Sequence, residues 1–222
     1  MIEIAIVLDM DGLMVDTEPL SRRAWAQVLA TYGHDLDDAV YNSIIGYRFD
    51  ESANMIIETY DLPVKMDTLA RQKADILAKI RASGVPVMPG LFDLHAAINQ
   101  RALPWGVATS SPRHHAQEIL QQIGLEDSCQ IIVGGDEVSR GKPAPDIYLL
   151  AAERLGVPSS RCLALEDSAP GCRSALAAGM MVVAIPNGDT KEADFSAVDH
   201  IYPSLHNVAD ELDALLAELT SR

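Results

Sequence analysis

Four short stretches of this chain place acidic, hydroxyl and basic side chains where a phosphate ester and a cation could meet. The first is Asp9-Met10-Asp11-Gly12, which follows an apolar run directly. Two carboxylates at i and i+2 can serve as nucleophile or metal ligand and as acid/base, while Gly12 lets the chain turn away sharply. Read alone, the same residues also make an ordinary solvated turn. The second is Thr109-Ser110-Ser111-Pro112, where hydroxyls and backbone N–H groups ahead of a helix make either a phosphate site or a plain N-cap. The third, Gly141-Lys142-Pro143-Ala144-Pro145-Asp146, sets a lysine in a loop stiffened by two prolines, either a positioned charge or a solvated one. The fourth, Leu165-Glu166-Asp167-Ser168, ends an apolar run with adjacent carboxylates. Like charges side by side invite a bound cation, and hard oxygen ligands favour magnesium.

The elements that must position these residues follow from hydrophobic patterning. Residues 4–8, 105–108, 131–133, 162–165 and 181–185 are continuous apolar runs, as expected of strands buried on both faces of a parallel sheet. Helical patterns over 92–101, 114–123, 146–155 and 171–178 alternate with them, the last three each followed by a glycine suited to a C-cap. This alternation predicts an α/β class domain with a doubly wound parallel sheet. Ligands in such sheets bind outside the carboxyl ends of the strands, so Asp9, Thr109, Glu166 and Asp167 are expected on one edge despite their separation along the chain.

Residues 18–83 break the alternation. Helical patterns at 20–32, 37–44, 51–60 and 66–82 run on with no apolar strand between them, and the Gly- and Pro-rich 83–90 looks like a return link. We read 17–84 as an inserted all-helical cap and 1–16 with 85–222 as the core. A closing amphipathic helix is expected over 208–219.

The bulk numbers bound the rest. A length of 222 residues with 48% hydrophobic content supplies one sizeable core. The net charge of -15 repels polyanions, which argues against a nucleic-acid partner and requires any phosphate site to have its own local positive field. The three cysteines lack zinc-type spacing or an even count, and no run is apolar for long enough to span a membrane. With no secretory leader in view, a soluble cytoplasmic protein without membrane association is expected. The oligomeric state is not indicated.

Taken in order, the aspartate pair, Thr109, Lys142 and the Glu166-Asp167 pair resemble the four motifs of the haloacid-dehalogenase-type hydrolases, over residues 4 to 188, in the subgroup with a helical cap after the first motif. The resemblance implies a Rossmann-like core and a magnesium-dependent phosphatase for small phosphate esters, sugar phosphates ahead of nucleotides. It implies that Asp9 attacks phosphorus to give an aspartyl-phosphate, and that Asp11 protonates the leaving oxygen and then activates water. It places Mg2+ on the Asp9 carboxylate, the Asp11 carbonyl and Asp167, with Glu166 helping directly or through water. Lys142 would neutralise charge, and Thr109 with the Ser110 N–H would hold phosphate oxygens. Within the cap, Arg48 in Gly46-Tyr47-Arg48 reads either as a specificity contact or as part of an exposed loop, and Glu18 is similarly open. His114 and His115 receive no role. A phosphosugar mutase resembling the β-phosphoglucomutases is the alternative, weakened because Ser21 and Arg22 stand near where those mutases place a histidine. A catalytically silent binding module is the third reading, and it predicts a missing motif residue where none is missing.

Overall fold

The computed structural model describes residues 4–45, 47, 49–188 and 190–222. Its centre is a six-stranded parallel sheet in the order β3-β2-β1-β4-β5-β6, formed by β1 (Ala5–Leu8), β2 (Trp105–Ala108), β3 (Ile131–Val133), β4 (Cys162–Glu166), β5 (Met181–Ala184) and β6 (His200–Ile201). The chain moves outward from β1 through β2 to β3, then crosses back to β4 on the other side. This is the doubly wound order, and it opens a crevice at the carboxyl end of β1, between β2 and β4. β1 is in register with both neighbours, Leu8 opposite Val107 on one side and Leu165 on the other, so the residues that follow these strands emerge together.

Strands β1, β2 and β5 are apolar and buried at every position, and β4 is so as far as Leu165, because both faces are covered. The helices in chain order are α1 (Glu18–Ala30), α2 (Asp38–Ile44), α3 (Phe49–Tyr60), α4 (Met66–Arg81), α5 (Leu91–Gln100), α6 (Arg113–Gln122), α7 (Asp146–Leu155), α8 (Ala169–Ala177), α9 (Leu205–Asp210) and α10 (Leu212–Ser221). Strand alternation divides the core. Ile6, Leu8, Leu163, Leu165, Met181 and Val183 pack with α5, α6, α9 and α10, whereas Ala5, Val7, Cys162, Ala164, Val182 and Ala184 pack with α7 and α8. The second face is built from smaller side chains, which lets α7 and α8 lie close to the sheet.

Helices α1 to α4 have a third core of their own, with Trp25, Val28, Leu29, Tyr41, Ile56 and Leu69 buried in it. Two adjacent linkers join it to the sheet. Asp16 N–H donates to Pro86 O (2.8 Å), Met88 N–H donates to Met14 O (2.9 Å), and Val15 bridges Val87.

The observed elements differ from the sequence expectations in few places. α1 begins at Glu18 because Pro19 fits its first turn, and α8 begins at Ala169 because the Ser168 hydroxyl accepts from Gly171 N–H (3.2 Å) as an N-cap. The expected closing helix is two helices broken at Glu211. β6 escaped the sequence reading because two residues carry no periodicity. The glycines after α6, α7 and α8, Gly124, Gly156 and Gly179, all take the left-handed conformation expected of C-caps. Among the described residues, no helix is long and apolar enough to cross a membrane.

Candidate active site

The carboxyl ends of β1, β2 and β4 meet beneath α1 and α4, around a cavity of about 260 Å³. At its floor Lys142, only 2% exposed, projects from the proline-braced loop before α7. Its ammonium donates to Asp9 Oδ1 (2.6 Å), Glu166 Oε1 (2.6 Å) and the Ala108 carbonyl (3.0 Å). All three ammonium protons are thereby used, so the charge is fixed rather than mobile. Burial would discharge Lys142, but the adjoining Asp9 and Glu166 carboxylates hold its pKa above the ordinary lysine value.

Glu166 is wholly buried and held from both sides. Oε1 accepts from Tyr148 O–H (2.7 Å) as well as Lys142, and Oε2 accepts from the Ser168 backbone N–H (3.2 Å) and hydroxyl (3.1 Å). Asp167 is oriented by Asn187, whose amide donates to Asp167 Oδ2 (2.8 Å) and to Gly12 O (3.1 Å). Gly12 is needed here in two ways. Its φ of +89° suits glycine, and a Cβ would stand 2.3 Å from Asp167 Oδ2.

Asp9, Glu166 and Asp167 bring one carboxylate oxygen each to within 4.8 Å of one another, all three buried. Burial raises the Asp9 and Asp167 pKa values well above the ordinary aspartate value. For Asp9 the Lys142 charge opposes this, while Glu166 and Asp11 reinforce it; for Asp167 the neighbouring Asp9 and Glu166 charges add to it. One ammonium among three buried carboxylates leaves negative charge that a divalent cation fits, and oxygen-only donors suit a hard ion such as magnesium. Glu166 belongs to that group by proximity, and its two oxygens also accept the hydrogen bonds from Lys142, Tyr148 and Ser168.

Asp11 faces the cavity from the other side of the turn. Thr17 donates to Oδ1 (2.6 Å), Thr109 (3.0 Å) and Ser111 (2.8 Å) donate to Oδ2, and Arg81 Nη2 lies 3.5 Å from Oδ1. Burial pushes the Asp11 pKa up, but the Arg81 charge and the hydroxyls of Thr17, Ser111 and Thr109 outweigh it, and the net shift is downward. Thr109 also accepts from Ser111 N–H (3.0 Å), which locks the turn into α6, and Ser110 lines the cavity beside it.

Asp9, Asp11, Thr109, Ser110, Lys142 and Asp167 thus line one cavity, with Glu166 directly behind Lys142. Arg48, proposed from sequence for the cap, lies outside the described residues, whereas Tyr47 beside it reaches the cavity wall. Glu18 lines the cavity and accepts from Tyr41 O–H (2.6 Å). His114 and His115, given no role from sequence, also line it. The pKa of His115 is lowered to about 4, by burial first and then by His114 and Arg81.

Sequence reasoning passed over Thr17, Lys73, Arg81, Ser111, Tyr148 and Asn187. Only Ser111 carried a local signal, standing within the hydroxyl cluster. Lys73 and Arg81 share a face of α4 at eight-residue spacing, a pattern that helical surface lysines and arginines show routinely.

The haloacid dehalogenase-like hydrolase family matches residues 5–179. The fructose-1-phosphate phosphatase YqaB of Escherichia coli K12 is 35% identical over 178 residues, covering 80% of this chain and 94% of that protein. The bifunctional riboflavin kinase/FMN phosphatase of Arabidopsis thaliana is 30% identical over 204 residues, covering 91% of this chain; the chain spans 54% of the length of that larger protein. The crystal structure of CbbY from Rhodobacter sphaeroides in complex with phosphate superposes with a TM-score of 0.83 at 29% identity, covering 94% of this chain and 96% of that one.

Proposed function

The chain belongs to the haloacid dehalogenase-like hydrolases, and from that footing we propose that it is a magnesium-dependent phosphatase of small phosphorylated metabolites, sugar phosphates foremost, acting in the cytoplasm through an aspartyl-phosphate. The observation that carries this reading is the buried Asp9 carboxylate at the cavity floor, held at 2.6 Å by Lys142, with Asp11 two residues on and facing the same space. The phosphatase activity named for YqaB and the phosphate bound to CbbY support the substrate class.

Asp9 is the nucleophile. Its free oxygen attacks phosphorus and the ester P–O bond breaks, while Asp11, ionised at rest and protonated from solvent before this step, gives that proton to the departing oxygen. Asp11 then takes a proton from water as the water oxygen attacks the Asp9-bound phosphorus, and Asp9 leaves as a carboxylate. Lys142 holds Asp9 in place and offsets charge on the transferring group, a task suited to a buried, fixed ammonium. Thr109 and the Ser110 N–H are the contacts to phosphate oxygens at the N-terminus of α6. Asp9, the Asp11 carbonyl and Asp167 would hold Mg2+, which when bound supplies positive charge to the phosphoryl oxygens. Residues 17–84 act as a cap domain over a core of 1–16 and 85–222.

A mutase role is disfavoured by Ser21, which lines the cavity near where those mutases carry a histidine, and by Arg22, which turns outward to pair with Asp38. The test is phosphate release from a panel of sugar phosphates and nucleoside monophosphates, with magnesium and then with EDTA. Magnesium-dependent release from a narrow subset is expected. No release from any member, or isomerisation of β-glucose 1-phosphate without free phosphate, refutes the proposal.

A further inference from the structure

The loop after β5 sends one side chain across to the carboxyl ends of β1 and β4. The Asn187 amide meets a partner at each of its two donor and two acceptor positions. Nδ2 donates to Asp167 Oδ2 (2.8 Å) and Gly12 O (3.1 Å), and Oδ1 accepts from Thr190 N–H (3.2 Å) and O–H (3.3 Å). The buried Thr190 hydroxyl also accepts from Asn187 N–H (3.0 Å). Rotating the amide by half a turn would set its oxygen against a carboxylate and a carbonyl, so the network admits one orientation. The two acceptors belong to different strands: Asp167 follows β4, and Gly12 lies in the turn after β1. Gly12 N–H donates in turn to Val15 O (2.8 Å), which fixes the plane of the Asp11–Gly12 peptide. In a trans peptide the Asp11 carbonyl points opposite to that N–H, so its direction is set as well. Among the described residues, no other hydrogen-bond donor reaches the Asp167 carboxylate, which is buried.

We propose that Asn187 is a positioning residue for the divalent cation. It holds the Asp167 carboxylate and the turn that carries the Asp11 carbonyl in mutual register, independently of the ion, and so makes cation affinity depend on the loop after β5. The inference rests on the phosphatase reading above, which assigns the cation to Asp9, Asp167 and the Asp11 carbonyl. A ligand that must be ordered at the moment of binding gives up part of the binding free energy, and outer partners that orient ligands are worth about 10–100-fold in affinity. Asn187 touches the ligands and not the reacting phosphorus. Its loss is therefore expected in affinity, and abundant cation should compensate for it.

Mn2+ counted by its EPR signal, with Mg2+ as competitor, measures affinity without turnover. For Asn187→Ala, the Kd for both ions should rise at least about tenfold. Turnover of p-nitrophenyl phosphate lost at low Mg2+ should return as Mg2+ is raised. Thr190→Val leaves both donors of Asn187 in place and removes one of the bonds that orient them, so a smaller rise of about two- to fivefold is expected. Thermal unfolding in EDTA shows which variants are folded, and Thr190→Val carries the test if Asn187→Ala is not. A Kd equal to the wild-type value in Asn187→Ala, or in Thr190→Val where that variant alone folds, overturns the inference. So does a loss of turnover that saturating Mg2+ leaves in place, which would put Asn187 in the chemistry. Wild-type protein that binds neither ion refutes the metal assignment itself, a result distinct from both of these.

Discussion

Replacing Lys142 by Met keeps the stem's bulk and deletes one buried charge, and its effect on stability can be worked from the bonds it breaks. Asp9 and Glu166 each lose a 2.6 Å ion pair, and the Ala108 carbonyl loses its side-chain donor. Breaking a buried pair from one side destabilises by about 3–5 kcal/mol, since the partner stays buried and uncompensated. The orphaned carbonyl adds about 1 kcal/mol. For a chain of this size a total of roughly 4–6 kcal/mol corresponds to a fall in Tm of about 8–24 °C. The deficit should also depend on pH with a definite sign. Asp9 already has a raised pKa in the folded state, by burial first, and losing the opposing Lys142 charge raises it further. A carboxyl with a raised folded pKa binds protons more readily folded than unfolded, so stability declines as pH rises through the window between the two values. The gap between variant and wild type should therefore be narrower at about pH 5 than at about pH 7.5. Differential scanning calorimetry in EDTA at both pH values measures it. A Tm within about 2 °C of wild type, or a gap that widens on acidification, would refute the account of Lys142 as the charge that holds these carboxylates together.

Gly171→Ala should run against helix propensity. An interior glycine replaced by alanine ordinarily gains up to about 1 kcal/mol, but here the new Cβ would meet Glu166 Oε1 at 1.8 Å, and a loss of about 1–3 kcal/mol with slower turnover is expected. Gly188→Ala, with nothing among the described residues within 4 Å of its Cβ, is the neutral control in the same urea titration. Lys73 is buried on α4 over the Trp25 ring, and burial lowers its pKa from 10.5 to about 8. Its charge destabilises the fold below that value, and stability is regained as pH rises from about 8 toward the unfolded pKa. Lys73→Met should melt higher than wild type at neutral pH, by the equivalent of about 1–3 kcal/mol, with the difference closing near pH 10; a variant that melts lower at neutral pH contradicts this. Burial raises the thiol pKa values of Cys129 and Cys162 to about 12 and pushes that of Cys172 up as well. Native protein should therefore leave Ellman's reagent uncoloured over minutes, and denatured protein should titrate three thiols.

Much of this molecule is legible in its sequence because the information is local. A strand buried on both faces must be apolar at successive positions, so β1, β2, β3, β4 and β5 stand out as uninterrupted runs, and glycines able to take positive φ mark where α6, α7 and α8 stop. Residues that do chemistry at strand ends follow those runs directly, so Asp9, Thr109 and the Glu166-Asp167 pair could be assigned to one edge once the sheet was recognised as parallel. What the sequence could not settle depends on approach through space. Nothing in the sequence around Tyr148 or Asn187 tells that one braces Glu166 and the other holds Asp167, since both relations cross from separate elements. The two functions of the acidic pair, Glu166 against Lys142 and Asp167 toward the cavity, are set by opposite side-chain directions at a strand end, which adjacency alone does not apportion. Arg81 and Lys73 look like ordinary helix-surface cations until α4 is laid against the sheet. The local code determines which elements form and where reactive groups are carried. Only the packing of helices α1 to α4 over the crevice decides which charges face Asp11, because that is fixed by burial and distance between segments far apart along the chain.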